Sequence, residues 1–85
     1  MTVDIMTPDR QIYSGESTSV TVPGSMGMFQ ILNNHAPIIS TLSSGQVKVV
    51  TSEGEKVFKV EGGVVEVLKN KIIILVERII EDSAA

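Results

Sequence analysis

With 85 residues, no cysteine, one histidine and a formal charge of −3, the chain is sized for a single small domain. Acidic and basic residues are interspersed, which excludes the basic footprint of a nucleic-acid binder. The longest apolar run, residues 72–76, is far short of the ~20 residues of a membrane helix, and the start lacks the basic and apolar regions of a secretory signal. A chain without cysteine fits a reducing cytoplasm, so the expectation is a soluble, intracellular domain. A domain of this size buries only roughly 60–65% of its unfolded surface, which makes a partner subunit a natural source of further stability.

Valine and isoleucine supply 22 residues, and such β-branched side chains suit a pleated, half-buried surface. In chain order, residues 2–6 read as a first strand. A turn follows at Thr7-Pro8-Asp9-Arg10, where proline presets the backbone. Residues 11–14 form a short edge piece. Residues 17–22 alternate Thr18, Val20 and Val22 against Ser17, Ser19 and Thr21, a period of two that stops at Pro23-Gly24. Residues 46–51 and 56–60 form a hairpin around Ser52-Glu53-Gly54, and Glu61-Gly62-Gly63 breaks the second strand. Residues 64–68 and 71–77 flank a two-residue turn at Lys69-Asn70. Residues 72–76 are apolar on both faces, which marks the most buried strand. Many short strands with frequent turns predict an all-β fold, an antiparallel sandwich or flattened barrel, over residues 1–80. Residues 81–85 are expected to be a short flexible tail.

The stretch from Gly24 to Ile39 reads as a loop. Met26, Met28 and Phe29 sit among glycines, where they either form an exposed apolar docking surface or fold inward to plug the end of the sandwich. Pro37 pushes Ala36 into extended backbone. His35, the only histidine, serves either as a contact or as a local anchor for the loop before Pro37. Catalysis finds no support. One histidine and no cysteine exclude a Cys–His pair and a multi-histidine metal site, and no Gly-x-Ser-x-Gly elbow is present. Gly24-Ser25-Met26-Gly27 lacks the Lys-Ser/Thr of a phosphate cradle, so no cofactor is expected.

Four segments carry a family likeness: Val3-Asp-Ile-Met-Thr-Pro8 with Ile12-Tyr-Ser-Gly15, Val22-Pro-Gly-Ser-x-Gly27, Ile31-x-x-x-His35-Ala-Pro-Ile-Ile39, and Gly62-Gly-Val-Val-Glu-Val67 with Leu75-Val-Glu77. In order and spacing they resemble the N-terminal β-sandwich domain of the epsilon subunit of bacterial F-type ATP synthases, across essentially the whole chain. The resemblance implies about ten short strands. It also implies a non-catalytic rotor subunit at the foot of the central stalk, joining the gamma subunit to the membrane c-ring of a proton-translocating synthase. The place implied is the cytoplasmic side of the bacterial inner membrane, with no membrane insertion, no nucleic acid and no small-molecule substrate. Carried over by position, the gamma-facing residues are Thr7, His35, Ala36, Pro37 and Ser40, and the ring-facing residues are Met26, Met28, Phe29 and Gln30.

Three features depart from the family pattern. Asn33-Asn34 stands where Pro-Gly or Pro-Asn is common, and asparagine can adopt the same left-handed turn. Met28 replaces an acidic or polar residue. The chain ends at Ala85, where family members continue into a helical hairpin that restrains ATP hydrolysis, so the expectation is a subunit without that inhibitory arm. The rival reading is a free-standing lipoyl or biotinyl carrier domain, with Lys69-Asn70-Lys71 at a hairpin tip but without its Met-Lys-Met setting.

Overall fold

The computed structural model describes residues 1–83. Eight strands follow one another: β1 (Thr2–Met6), β2 (Gln11–Glu16), β3 (Ser19–Gly24), β4 (Gly27–Leu32), β5 (Ile38–Leu42), β6 (Gly45–Thr51), β7 (Gly54–Leu68) and β8 (Lys71–Ser83). The order β2-β1-β8-β7-β5-β3-β4, with β6 inserted between β3 and β7, wraps one sheet onto itself. The all-β sandwich expected from the sequence is the fold observed.

The expected count of about ten strands becomes eight because β7 and β8 are long and bent. At Gly62 and Gly63 the backbone takes φ of 54° and 144°, values open to glycine and strained for other residues. Across that point the inward parity of β7 changes, from Phe58 and Val60 to Val65 and Val67. Its partner β8 changes at the matching place, from Ile72, Ile74 and Val76 to Ile79. Because side chains alternate with a period of two, a one-residue offset turns the opposite face inward. Each long strand therefore serves both layers. One layer holds β2, β1, the first part of β8, the second part of β7, and β5. The other holds β4, β3, β6, the first part of β7 and the end of β8. Gly62-Gly63 thus bends a strand where the sequence suggests a break.

Other boundaries differ for identifiable reasons. β8 continues to Ser83, pairing with Val57–Lys59 in the first part of β7, so the boundary expected at residue 80 falls inside a strand. The remaining two residues of the expected tail lie outside the described residues. The segment from Gly27 to Leu32, read as loop, is the strand β4, folded back on β3 around Ser25-Met26. One pair is not antiparallel: β1 runs parallel with β8, Val3 opposite Ile72 and Ile5 opposite Ile74. The Lys69-Asn70 turn is as expected, with φ of 51° and 62°, the doubly positive pattern that matches strand twist in a tight hairpin.

The core sits between the layers. Val3, Ile5, Val20, Val22, Ile31, Val47, Val49, Val60, Val65, Ile72 and Ile74 are all fully buried. Phe58 closes one side, its ring 5.8 Å from that of Tyr13.

Candidate docking surfaces

Two surfaces emerge, and their positions follow from strand direction. The first is the tip of the β3–β4 hairpin. Gly24 is required there because a Cβ would lie 2.7 Å from the Phe29 ring, which folds over it. Gly27 takes φ of 129° to complete the turn. The tip is tied down: the Ser25 amide donates to the Thr41 carbonyl at 3.0 Å, their hydroxyls lie 2.7 Å apart, and the Ser43 amide donates to the Pro23 carbonyl at 2.8 Å. Met26 projects from this fixed support with 101% relative exposure, and Met28 with 65%. Gln30 is exposed on the same side of β4, while Phe29 is half-buried and packs against the core. Of the residues expected to face the ring, Phe29 is the one whose side chain turns inward.

The second surface is the outer face of the layer containing β1, β5 and the β7–β8 hairpin. Even-numbered residues of β8 point to the core there, so odd ones point outward: Ile73 half-buried and Leu75 half-exposed. Across from them stand Val64 opposite Leu75 and Glu66 opposite Ile73, with Ile39 beside Glu66 and Met6 beside Leu75. Ile39 is 73% exposed and Leu68 49%. The result is an apolar sheet face with few charges (Asp4, Glu66, Lys71 and Glu77) and no covering element among the described residues. The outer face of the other layer contrasts with it, carrying the Lys48–Glu55 pair and the bidentate Arg78–Glu61 pair.

The residues assigned to gamma from the sequence are distributed around this face rather than clustered. Thr7 lies at one end of the strands, where its hydroxyl accepts from the Asp9 and Arg10 amides and closes the β1–β2 turn. His35, Ala36 and Pro37 lie at the opposite end, beside the Lys69-Asn70 turn. There the Asn34 amide donates to the Asn70 side chain at 2.8 Å, and Asn34 has φ of 63°. Asparagine thus supplies the left-handed residue that this turn needs. The His35 amide donates to the Leu32 carbonyl, and Nδ1 lies 2.7 Å from the Ala36 carbonyl oxygen, so the ring is anchored locally. Ser40 sits on the inner side of β5, paired with buried Val65, and its hydroxyl donates to the Thr41 carbonyl. Between the two ends runs the apolar stripe of Met6, Ile39, Val64, Leu68, Ile73 and Leu75. Sequence reasoning missed it, although the double-faced apolar run of residues 72–76 carried the signal.

Among the described residues, Glu61 is held below the usual carboxylate range by its hydrogen bonds to Arg78, and Arg78 is raised by Glu61 in turn. Among the described residues, no group of three or more His, Cys, Asp or Glu side chains is arranged to hold a metal. Among the described residues, no helix is long and apolar enough to cross a membrane.

Chains of the same fold occur in solved mitochondrial ATP synthase structures. A chain of the Euglena gracilis mitochondrial ATP synthase superimposes with a TM-score of 0.85 at 18% identity, over 92% of this chain and 51% of that one. One from the Tetrahymena thermophila mitochondrial ATP synthase central stalk and c-ring gives 0.80 at 20% identity, over 94% and 65%. This chain thus spans about half and about two thirds of those two chains. Sequence relatives are nearer. The ATP synthase epsilon chain of Chlorobium limicola is 47% identical over 76 residues, covering 88% of this chain and 86% of the relative. That of Chlorobaculum tepidum is 44% identical over 79 residues, covering 92% and 90%. The epsilon chain of Leptospira interrogans is 45% identical over 75 residues, and only 59% of its length is spanned. These relatives overturn the carrier-domain reading, and Lys69 is simply a turn residue with positive φ. Residues 1–82 match the β-sandwich domain of the ATP synthase delta/epsilon chain, and the chain belongs to that family.

Proposed function

We propose that the chain is the non-catalytic epsilon-type subunit of a rotary ATP synthase, locking the gamma subunit to the membrane c-ring on the cytoplasmic side of a bacterial inner membrane. The observation that carries this reading is the uncovered apolar sheet face, since a contiguous exposed apolar patch on a small domain marks a protein interface. Gamma docks across that face, with Thr7 at one margin, His35, Ala36 and Pro37 at the other, and Ser40 shaping the β5 edge between them. The c-ring meets the hairpin tip through Met26, Met28 and Gln30, and Phe29 supports the tip by packing beneath it. A ring loop that meets Met28 finds an apolar contact instead of an ionic one. No catalytic group and no resident cofactor enters this role. The two surfaces transmit torque through a sheet whose β7 and β8 run through both layers.

Co-expression with the gamma subunit of the same organism tests the assignment. A one-to-one complex by size-exclusion chromatography is expected, and Leu75→Lys or Ile39→Lys should abolish it while leaving the circular dichroism spectrum intact. Failure of two folded proteins to associate would remove the gamma assignment. Association that survives both substitutions would place the interface elsewhere on the domain.

A further inference from the structure

The outer edge of β4 is unpaired, and nothing in its sequence blunts it. β4 ends the strand order, and its only strand partner among the described residues is β3. Exposed edges are normally protected by charges, proline, bulges or a covering element. The opposite edge has such protection: β2 ends in Glu16, its pairing with β1 is interrupted by an irregularity at Ile5/Met6, and Asp4 is tied to Ser14 and Gln11. From Gly27 to Leu32 there is no charge, no proline and no irregularity in register.

The hydrogen-bonding phase of this edge is fixed by the β3–β4 hairpin. Gly24 pairs with Gly27 across a two-residue turn, so Gly27, Phe29 and Ile31 direct their backbone groups to β3. Met28, Gln30 and Leu32 direct theirs to the open side. The Leu32 carbonyl already accepts the His35 amide; the remaining groups of these residues are available to a partner strand.

We infer that this edge pairs with the same edge of a second copy of the chain, β4 against β4 in antiparallel register about a two-fold axis at Gln30. The chemistry is self-complementary. Gln30 meets Gln30, Met28 meets Leu32 of the second copy, and Phe29 meets Ile31. No charge opposes another at any position. About four backbone hydrogen bonds form: two between the Gln30 residues and one from each Leu32 amide to the facing Met28 carbonyl. The outward side chains Met28 and Leu32, 65% and 52% exposed in the single chain, then cover one another. A six-residue edge is small beside a standard interface, so the dimer is weak and belongs to the free subunit. Given the ring assignment above, on which this consequence rests, pairing covers Met28 and Gln30 and excludes simultaneous contact with the c-ring.

Sedimentation equilibrium of the purified chain, from micromolar to about 1 mM, reads the association directly. A monomer–dimer equilibrium is expected within that range. Gln30→Lys places two like charges at the two-fold axis and should weaken it at least tenfold. Gln30→Glu should do the same, while an equimolar mixture of the two variants should dimerise at least as well as the wild type. Leu75→Lys, on the other face, should leave dimerisation unchanged. A protein monomeric throughout, a dimer insensitive to both Gln30 variants, absence of rescue in the mixture, or a dimer broken by Leu75→Lys would each overturn the proposal.

Discussion

Ile74 and Gly63 stand for two different ways in which single residues hold this sandwich. Ile74 has no solvent exposure and is paired on one side with Ile5 and on the other with Val65. Truncation to alanine leaves a cavity among β-branched neighbours that cannot collapse easily, and chemical denaturation should report a loss of about 2–5 kcal/mol. Gly63 matters for space and for backbone. A Cβ there would lie 2.1 Å from the Leu75 carbonyl oxygen, and φ is 144°. Gly63→Ala should therefore cost about 3 kcal/mol or more, since strain and a backbone clash add. Gly62→Ala is the informative neighbour. Its φ is 54°, and the nearest obstacle is the movable Glu77 carboxylate at 2.9 Å, so about 1–2 kcal/mol is expected. Phe29 falls between docking and packing. On sequence grounds its truncation would weaken docking with little effect on the fold, but its ring covers Gly24 and touches the core. Phe29→Ala should cost about 1–3 kcal/mol in the same denaturation experiment.

At the scale of elements, the bend shared by β7 and β8 is fastened on its outer side by Glu61 and Arg78, directly opposite in register and joined through two hydrogen bonds. Hydrogen bonding to Arg78 lowers the Glu61 pKa from the usual 4.5. A carboxylate lowered by folding contributes stability that is complete above its unfolded pKa and disappears as pH falls through its folded value. The stability difference between wild type and Glu61→Gln should thus be constant near neutrality and shrink below about pH 4.5. A difference that grows on acidification would contradict the role given to the pair. Because both groups are exposed, the effect should also shrink in high salt. Elements with local causes were legible in the sequence. Lys69-Asn70 and Ser52-Glu53-Gly54 carry turn chemistry within a few residues, and the alternation around Val20 and Val22 shows in any short window. β4 was hidden because Gly24, Gly27 and two methionines read as loop, and its strand character depends on pairing with β3. The parallel alignment of β1 with β8 joins residues about seventy positions apart, beyond any local pattern. The bend at Gly62-Gly63 looked like a strand end because glycine marks both.

At the scale of the whole molecule, the sequence singled out the stretch from Gly24 to Ile39 as a loop with exposed apolar residues, but not the sheet face of Met6, Ile39, Val64, Leu68, Ile73 and Leu75. Residues 72–76 are apolar at every position, and such a run normally means burial on both sides. Here one side is core and the other is open, and that mismatch between composition and exposure is what supports the proposal of a docking surface there. That surface also bears on stability. A sandwich this small leaves much of its apolar area uncovered, and a partner that binds only the folded state stabilises it by mass action. If gamma is that partner, as proposed, then at a hundred times its dissociation constant the gain is about 2.7 kcal/mol, which for a domain of this size raises the melting temperature by roughly 10–20 °C. Leu75→Lys tests the cause. Leu75 is 50% exposed, so the variant alone should melt close to the wild type, yet it should gain nothing from gamma. Ile74→Ala should behave in the opposite way, melting lower alone but keeping most of the rise, because the neighbouring residue points to the core rather than to the partner. If Leu75→Lys kept the rise, the uncovered face would not be the docking surface; if Ile74→Ala lost it without unfolding, core and interface would not be separable across a single strand.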